Sequence, residues 1–234
     1  MGWSVLVTRR IPEPGIRLLK EHCEVVTINP ENRVWTKQEL INHLPGHQGV
    51  LCQLTDKIDS EVLEHASKCG IKGFANMAVG YDNIDVEYAT KLGILVTNTP
   101  GVLTETTAEL TWALIFAVAR RIVEADAFTR AGKFKSWDPL LFLGQDISHK
   151  TLGIIGAGRI GSAVALMSRG FNMRVVYCDP VPCKEIEQTL NAERKELNEL
   201  LRLADVVSIH TTLTKETYHL IGERELSLMK PTAI

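Results

Sequence analysis

Short β-branched apolar runs alternate along this chain with stretches whose apolar residues recur every three or four positions. Trp3–Thr8, Glu24–Ile28, Gly49–Gln53, Ile71–Ala75 and Ile94–Thr97 read as strands. Between them, Pro12, Glu13 and Pro14 open a helix that runs to about His22, and Thr36-Lys37-Gln38-Glu39 has the order of a capping box. Asp59–Ser67 and Val86–Leu92 have helical spacing. Strand–helix alternation with short connections predicts a parallel, doubly wound sheet. Residues 1–99 form one complete small domain on this reading, and the turn chemistry of Asn98-Thr99-Pro100-Gly101 marks its end.

Residues 100–234 read as a second α/β domain. Thr107–Val123 has the spacing of a long helix, with Leu110, Ala113, Leu114, Ala117 and Val118 as its apolar face. Trp137–Leu143 crowds apolar side chains around Pro139, which implies either buried core or a surface covered by a partner subunit. Strands are expected at Thr151–Ile155, Met173–Cys178 and Asp205–Ile209, with a polar helix around Glu185–Leu203 and another at about Gly222–Met229. A further strand begins at Thr232–Ile234. Three full strands and a stub would leave a parallel edge and apolar helix faces uncovered, so the 234 residues are expected to dissolve poorly or to associate.

Chemistry concentrates at the second domain's first strand. Thr151–Ile155 breaks into Gly156-Ala157-Gly158-Arg159-Ile160-Gly161, a G-x-G-x-x-G in register between strand and helix. Gly156 permits the tight turn, Gly158 lets backbone approach a pyrophosphate, and Gly161 lets the helix pack closely on the strand. Free N–H groups and the positive dipole end of that helix attract phosphate. The next strand ends on Asp179, eighteen residues after Gly161, where a carboxylate can accept both ribose hydroxyls. A 2′-phosphate beside that carboxylate would cost roughly 1–4 kcal/mol, so the cofactor is expected to be NAD rather than NADP. The turn His210-Thr211-Thr212 stands at a parallel strand's carboxyl end, where it lines the cofactor cleft.

Composition narrows the field further. A net charge of −2 shows no basic field for nucleic acid or an anionic membrane. The longest apolar stretch, Trp112–Ala119, is too short to span a bilayer, and Arg9 and Arg10 interrupt any signal-peptide pattern after Val5–Val7. Cys23, Cys52, Cys69, Cys178 and Cys183 form no C-x-x-C pair and no metal spacing, so reduced thiols in a cytoplasmic protein and no metal site are expected.

Four stretches in this order resemble the D-isomer-specific 2-hydroxyacid dehydrogenase family, in particular its glyoxylate/hydroxypyruvate reductase branch: MAVGYDNID (Met77–Asp85), GILVTNTPGVLTETTAELTWAL (Gly93–Leu114), TLGIIGAGRIG (Thr151–Gly161) and HTTLTKET (His210–Thr217). WDPLLFLGQDI (Trp137–Ile147) is similar to the same branch, and the likeness runs essentially end to end. The resemblance implies a flavodoxin-like substrate domain followed by a Rossmann nucleotide domain, with the active site between them. It places backbone N–H groups of Val79 and Gly80 on the substrate carboxylate and Thr107 on the nicotinamide side. It assigns Arg159 and Ile160 to the pyrophosphate, Asp179 to the adenosine ribose and Thr211 to the middle of the dinucleotide. Thr212 and Thr217 join the cofactor-binding set through the same motif. Many glyoxylate reductases carry Arg or Ser after the second strand and use NADPH; Asp179-Pro180 departs from that pattern.

The implied reaction is hydride transfer between NADH and a short 2-oxoacid, glyoxylate or hydroxypyruvate, in a homodimeric enzyme. Its 3-phosphoglycerate and D-lactate relatives match less well around Trp137. The family's Arg, Glu and His all fall beyond a lysine–proline stretch like Lys230-Pro231, so no catalytic residue is expected within residues 1–234. The chain is therefore expected to be a truncated form or part of such a reductase, inactive by itself. A non-catalytic NAD-sensing regulator, or an assembly subunit using the Trp137 loop, are the alternative readings.

Overall fold

Five parallel strands carry the first part of the chain: β1 (Ser4–Val7), β2 (Val25–Ile28), β3 (Gly49–Cys52), β4 (Gly73–Asn76) and β5 (Leu95–Thr97), ordered β2-β1-β3-β4-β5. That is the flavodoxin-like order, with its switch between β1 and β3. The computed structural model describes residues 2–234 and divides into two units between Val102 and Leu103. Helices α1 (Glu13–His22), α2 (Lys37–His43), α3 (Ser60–Cys69) and α4 (Val86–Lys91) link the strands. Local chemistry sets their ends. The Thr36 hydroxyl and the Glu39 carboxylate close the capping box on α2, Asp59 caps α3, and Gly70 ends α3 in the left-handed region at φ 85°. Leu6, Val50, Ile58, Leu63 and Phe74 pack at the centre, each 2 % exposed or less.

The second unit holds β6 (Thr151–Ile155), β7 (Arg174–Cys178), β8 (Glu193–Arg194) and β9 (Val206–Ile209) in the parallel order β8-β7-β6-β9. Its helices are α5 (Thr104–Ala119), α6 (Ile122–Arg130), α7 (Arg159–Met167), α8 (Lys184–Leu190), α9 (Leu197–Leu203) and α10 (Glu223–Leu228). Strand β6 is central and almost wholly buried, which is why it reads as an unbroken apolar run.

Several sequence expectations need correction here. The helix predicted over Thr107–Val123 is two helices, because Arg121 takes φ 54° and turns the chain between α5 and α6. Its buried face is also a different one. Ala108, Trp112, Ile115 and Ala119 face the core, while Leu110, Leu114 and Val118 are each more than half exposed. Helix α5 is apolar on nearly every side, so spacing alone does not choose its inner face; Trp112 does, with its indole N–H on the Val164 carbonyl at 3.1 Å and its ring 5.1 Å from Phe171.

The single polar helix over Glu185–Leu203 is likewise interrupted. Asn191 ends α8 at φ 52°, and two residues pair with β7 as β8, so the sheet has four strands where three were expected. Beyond β9, Ile234 donates its N–H to the Asp205 carbonyl and accepts from Val207 N–H, at 3.0 and 2.8 Å, which is the start of a parallel ladder. The Trp137 loop is not core: Trp137 is 80 % exposed and Leu140 74 %, while Phe142 turns back onto Phe128.

Asp205 joins three segments of this unit. Its carboxylate accepts from Thr151 N–H at 2.8 Å and from the Lys230 ammonium at 2.7 Å. Burial pushes its pKa up, but these donors outweigh burial and hold it below the ordinary carboxylate value. Its contribution to stability is therefore present above the unfolded pKa and lost as pH falls through the folded one. Asp205→Asn is expected to cost about 1–2 kcal/mol in denaturant melts at neutral pH, with the difference from the parent closing as pH falls below about 4.

Candidate dinucleotide site

The turn from β6 into α7 is built by contacts that tolerate no side chain at two of its three glycines. Gly156 has φ 92°, and a Cβ there would stand 2.8 Å from the Thr211 backbone nitrogen and 2.9 Å from the His210 carbonyl oxygen. A Cβ on Gly161 would sit 2.0 Å from the Gly156 carbonyl oxygen. These glycines let the helix and the turn after β9 close on the strand end.

Gly158 differs. Its backbone is extended, at φ −72° and ψ −164°, and an added Cβ would meet no atom within 4 Å. Neither strain nor a neighbour in the chain requires glycine there. The first helical hydrogen bond at this end runs from Ser162 N–H to the Gly158 carbonyl, which leaves the preceding N–H groups of Arg159, Ile160 and Gly161 without helical acceptors. Arg159 is exposed and forms no ion pair among the described residues. Uncapped amides and the positive dipole end stand at the start of α7 beside an exposed arginine, an arrangement that suits a diphosphate.

Asp179 stands at the same turn. One carboxylate oxygen accepts from Ala157 N–H at 2.9 Å and the other from Val181 N–H at 2.8 Å. The acid thus ties the glycine turn to the end of β7, with lone pairs left on both oxygens for a ribose. Arg194 on β8 donates to the carbonyls of Asp179 and Pro180, at 2.9 and 2.7 Å. Sequence reading missed Arg194 because β8 is only two residues long. It also missed the Asp179–Ala157 bond, which no spacing announces.

After β9, His210 Nε2 lies 2.8 Å from the Ser208 hydroxyl, with no carboxylate beside it. Burial holds its imidazole below the usual histidine pKa. The Thr217 hydroxyl donates to the Thr212 carbonyl and accepts from Thr214 N–H, so it shapes its own loop. Thr107 and His210 share an open groove of about 670 Å³ with the exposed α5 residues Leu110, Leu114 and Val118. The structure therefore gathers Gly156, Gly158, Arg159, Ile160, Gly161, Asp179, His210, Thr211 and Thr212 at the carboxyl edge of one sheet. Val79 and Gly80 occupy the loop after β4 in the other unit, both half-buried. No cluster of residues suited to a metal ion occurs among the described residues.

A four-stranded parallel sheet with a glycine turn on one central strand and a terminal acid on the next defines a dinucleotide-binding unit. The model of the D-isomer specific 2-hydroxyacid dehydrogenase NAD binding domain matches residues 112–234. A glyoxylate reductase of Thermococcus gammatolerans is 51 % identical over 235 residues, covering 99 % of this chain and 70 % of that protein. A solved structure from Thermus thermophilus superposes with a TM-score of 0.87 at 44 % identity, over 97 % of this chain and 70 % of the other. A D-lactate dehydrogenase from Aquifex aeolicus, solved with NAD and lactic acid, gives a TM-score of 0.82 at 30 % identity, over 97 % and 66 % of the two chains. The chain belongs to the D-isomer-specific 2-hydroxyacid dehydrogenase family, and its cofactor is of the nicotinamide class.

The two kinds of glycine separate in a paired experiment. Gly158→Ala is expected to melt within a few degrees of the parent while its affinity for NADH falls about tenfold or more. Gly161→Ala is expected to lose roughly 1–3 kcal/mol of stability, since its Cβ overlaps the Gly156 carbonyl.

Proposed function

We propose that the nucleotide unit holds NAD(H), that the Val79–Gly80 loop holds the carboxylate of a short 2-oxoacid, and that the reaction served is reduction of glyoxylate or hydroxypyruvate to the D-2-hydroxyacid. The observation that carries this reading is Gly158: its open backbone stands at a helix N-terminus whose first amides have no side-chain cap. The names of the similar enzymes, glyoxylate reductase foremost, support the substrate class. On this reading Arg159 and Ile160 grip the pyrophosphate, Asp179 the adenosine ribose, Thr211 the middle of the dinucleotide and Thr107 the nicotinamide side. Gly156, Gly161, His210, Thr212 and Thr217 shape the cleft around them. When bound, the nicotinamide supplies hydride to the carbonyl carbon of the 2-oxoacid. The chain's own amides would fix the substrate carboxylate, which aims that carbonyl.

Proton delivery to the carbonyl oxygen needs an acid, and His210, half-buried with its Nε2 against the Ser208 hydroxyl, has no carboxylate partner among its hydrogen bonds to support that role. A polypeptide of residues 1–234 is accordingly proposed to bind NADH without reducing glyoxylate. NADH-dependent turnover by purified protein ending at Ile234 would refute that part of the proposal. Asp179 beside the ribose favours NAD over NADP. By calorimetry, NADH is expected to bind at least about tenfold tighter than NADPH, and Asp179→Ser to narrow the gap. Equal affinities in the parent would remove Asp179 from the ribose.

The exposed Phe134, Trp137, Leu140 and Leu143 support assembly into a homodimer through the nucleotide unit. All five cysteines are free, which suits a reducing cytoplasm. No described helix is long and apolar enough to cross a membrane. Light scattering is expected to give a dimer, and Trp137→Asp to shift it toward monomer; a monomeric parent at high concentration contradicts the dimer.

A further inference from the structure

In the loop that follows β4, the carbonyls of Ala78, Val79 and Gly80 are all held. Thr99 N–H donates to the Ala78 carbonyl at 2.9 Å, Asn98 Nδ2 to the Val79 carbonyl at 2.9 Å, and Asn76 Nδ2 to the Gly80 carbonyl at 2.9 Å. The N–H groups of Val79, Gly80 and Tyr81 find no acceptor among the described residues. In a trans peptide the C=O and the following N–H point in opposite directions. Holding three successive oxygens against the unit's own body therefore turns three successive N–H groups away from it.

We propose that Asn76 and Asn98 are positioning residues for the substrate carboxylate, and that Tyr81 N–H is a third donor beside those of Val79 and Gly80. This rests on the reading of the Val79–Gly80 loop as the carboxylate site. The Asn76 clamp is itself tied. Asn76 is 1 % exposed, and its Nδ2 also reaches Asn83 Oδ1 at 3.1 Å. Asn83 Nδ2 in turn donates to the Asp56 carbonyl at 3.0 Å. The Asp56 carboxylate accepts from the Thr8 hydroxyl at 2.5 Å and from Gln53 N–H at 2.8 Å. This chain of bonds runs across the carboxyl ends of β1, β3 and β4. It leaves the loop little freedom to swing its peptides round and satisfy the N–H groups internally. Three aligned amides accept a planar carboxylate with no reorganisation at the moment of binding.

The test uses the chain itself, isotope-labelled, with glyoxylate as the anionic probe and glycolaldehyde as a neutral comparator. The amide signals of Val79, Gly80 and Tyr81 are expected to move together with glyoxylate and not with glycolaldehyde. Asn98→Asp replaces a donor by an acceptor of the same shape. It is expected to weaken glyoxylate about fivefold or more while NADH affinity and the melting temperature stay with the parent. Asn98→Ala serves if the aspartate variant folds poorly, and the expectation is the same. Should the parent's three amides ignore glyoxylate, the carboxylate reading itself fails. Should they respond in the parent and respond equally in both Asn98 variants, that reading stands and the positioning role is overturned. A response at Val79 and Gly80 with Tyr81 silent removes the third donor.

Discussion

The arrangement rests on the backbone of Gly156. Its positive φ lets β6 stop and α7 start within three residues, and its missing Cβ lets the His210–Thr211 backbone lie against it. Gly161 then comes down on the Gly156 carbonyl, which sets the helix axis relative to the sheet. Asp179 closes the ring from the neighbouring strand by accepting Ala157 N–H. Three strand ends are thereby locked around one small opening, and the amides left over are those at the start of α7. Packing within the chain fixes the turn.

Both sheets solve the same problem in the same way. Each presents N–H groups at its carboxyl edge by satisfying the competing backbone groups from within. In the nucleotide unit the helix consumes its own carbonyls, and Ala157 N–H is taken by Asp179. In the first unit two asparagines and Thr99 N–H take the carbonyls of the Ala78–Gly80 loop. Buried polar atoms without partners are costly, and no such side-chain atom occurs among the described residues. Against that background, free donors at these two edges are what a site for anions requires.

Much of this was legible in the sequence, and the exceptions have physical causes. The first five strands and the cap at Thr36 follow from alternation and local hydrogen bonding, which need no tertiary information. The glycine turn and Asp179 were readable because backbone freedom and a terminal acid belong to particular residue types at fixed spacing. The inner face of α5 was not, since a helix apolar all round is oriented by its neighbours, here Trp112 against Val164 and Phe171. Strand β8 was hidden because two residues carry no periodicity and Asn191 gives a weak stop signal. Asn76 and Asn98 escaped notice for a similar reason: an asparagine becomes a clamp only when folding brings a carbonyl 2.9 Å from its amide. For Gly158, read from the sequence as the pyrophosphate contact, the structure adds that no atom of the chain lies where its Cβ would stand.

The central claim is that bare amides at the start of α7 meet a diphosphate while Asp179 meets the sugar. Amide NMR of the labelled chain titrated with ADP-ribose, which carries both features and no nicotinamide, tests it most directly. The account predicts that the signals of Gly158 through Gly161 and of Asp179 shift together along one saturable curve. Saturable binding of ADP-ribose that moves signals elsewhere and leaves these unchanged would contradict it.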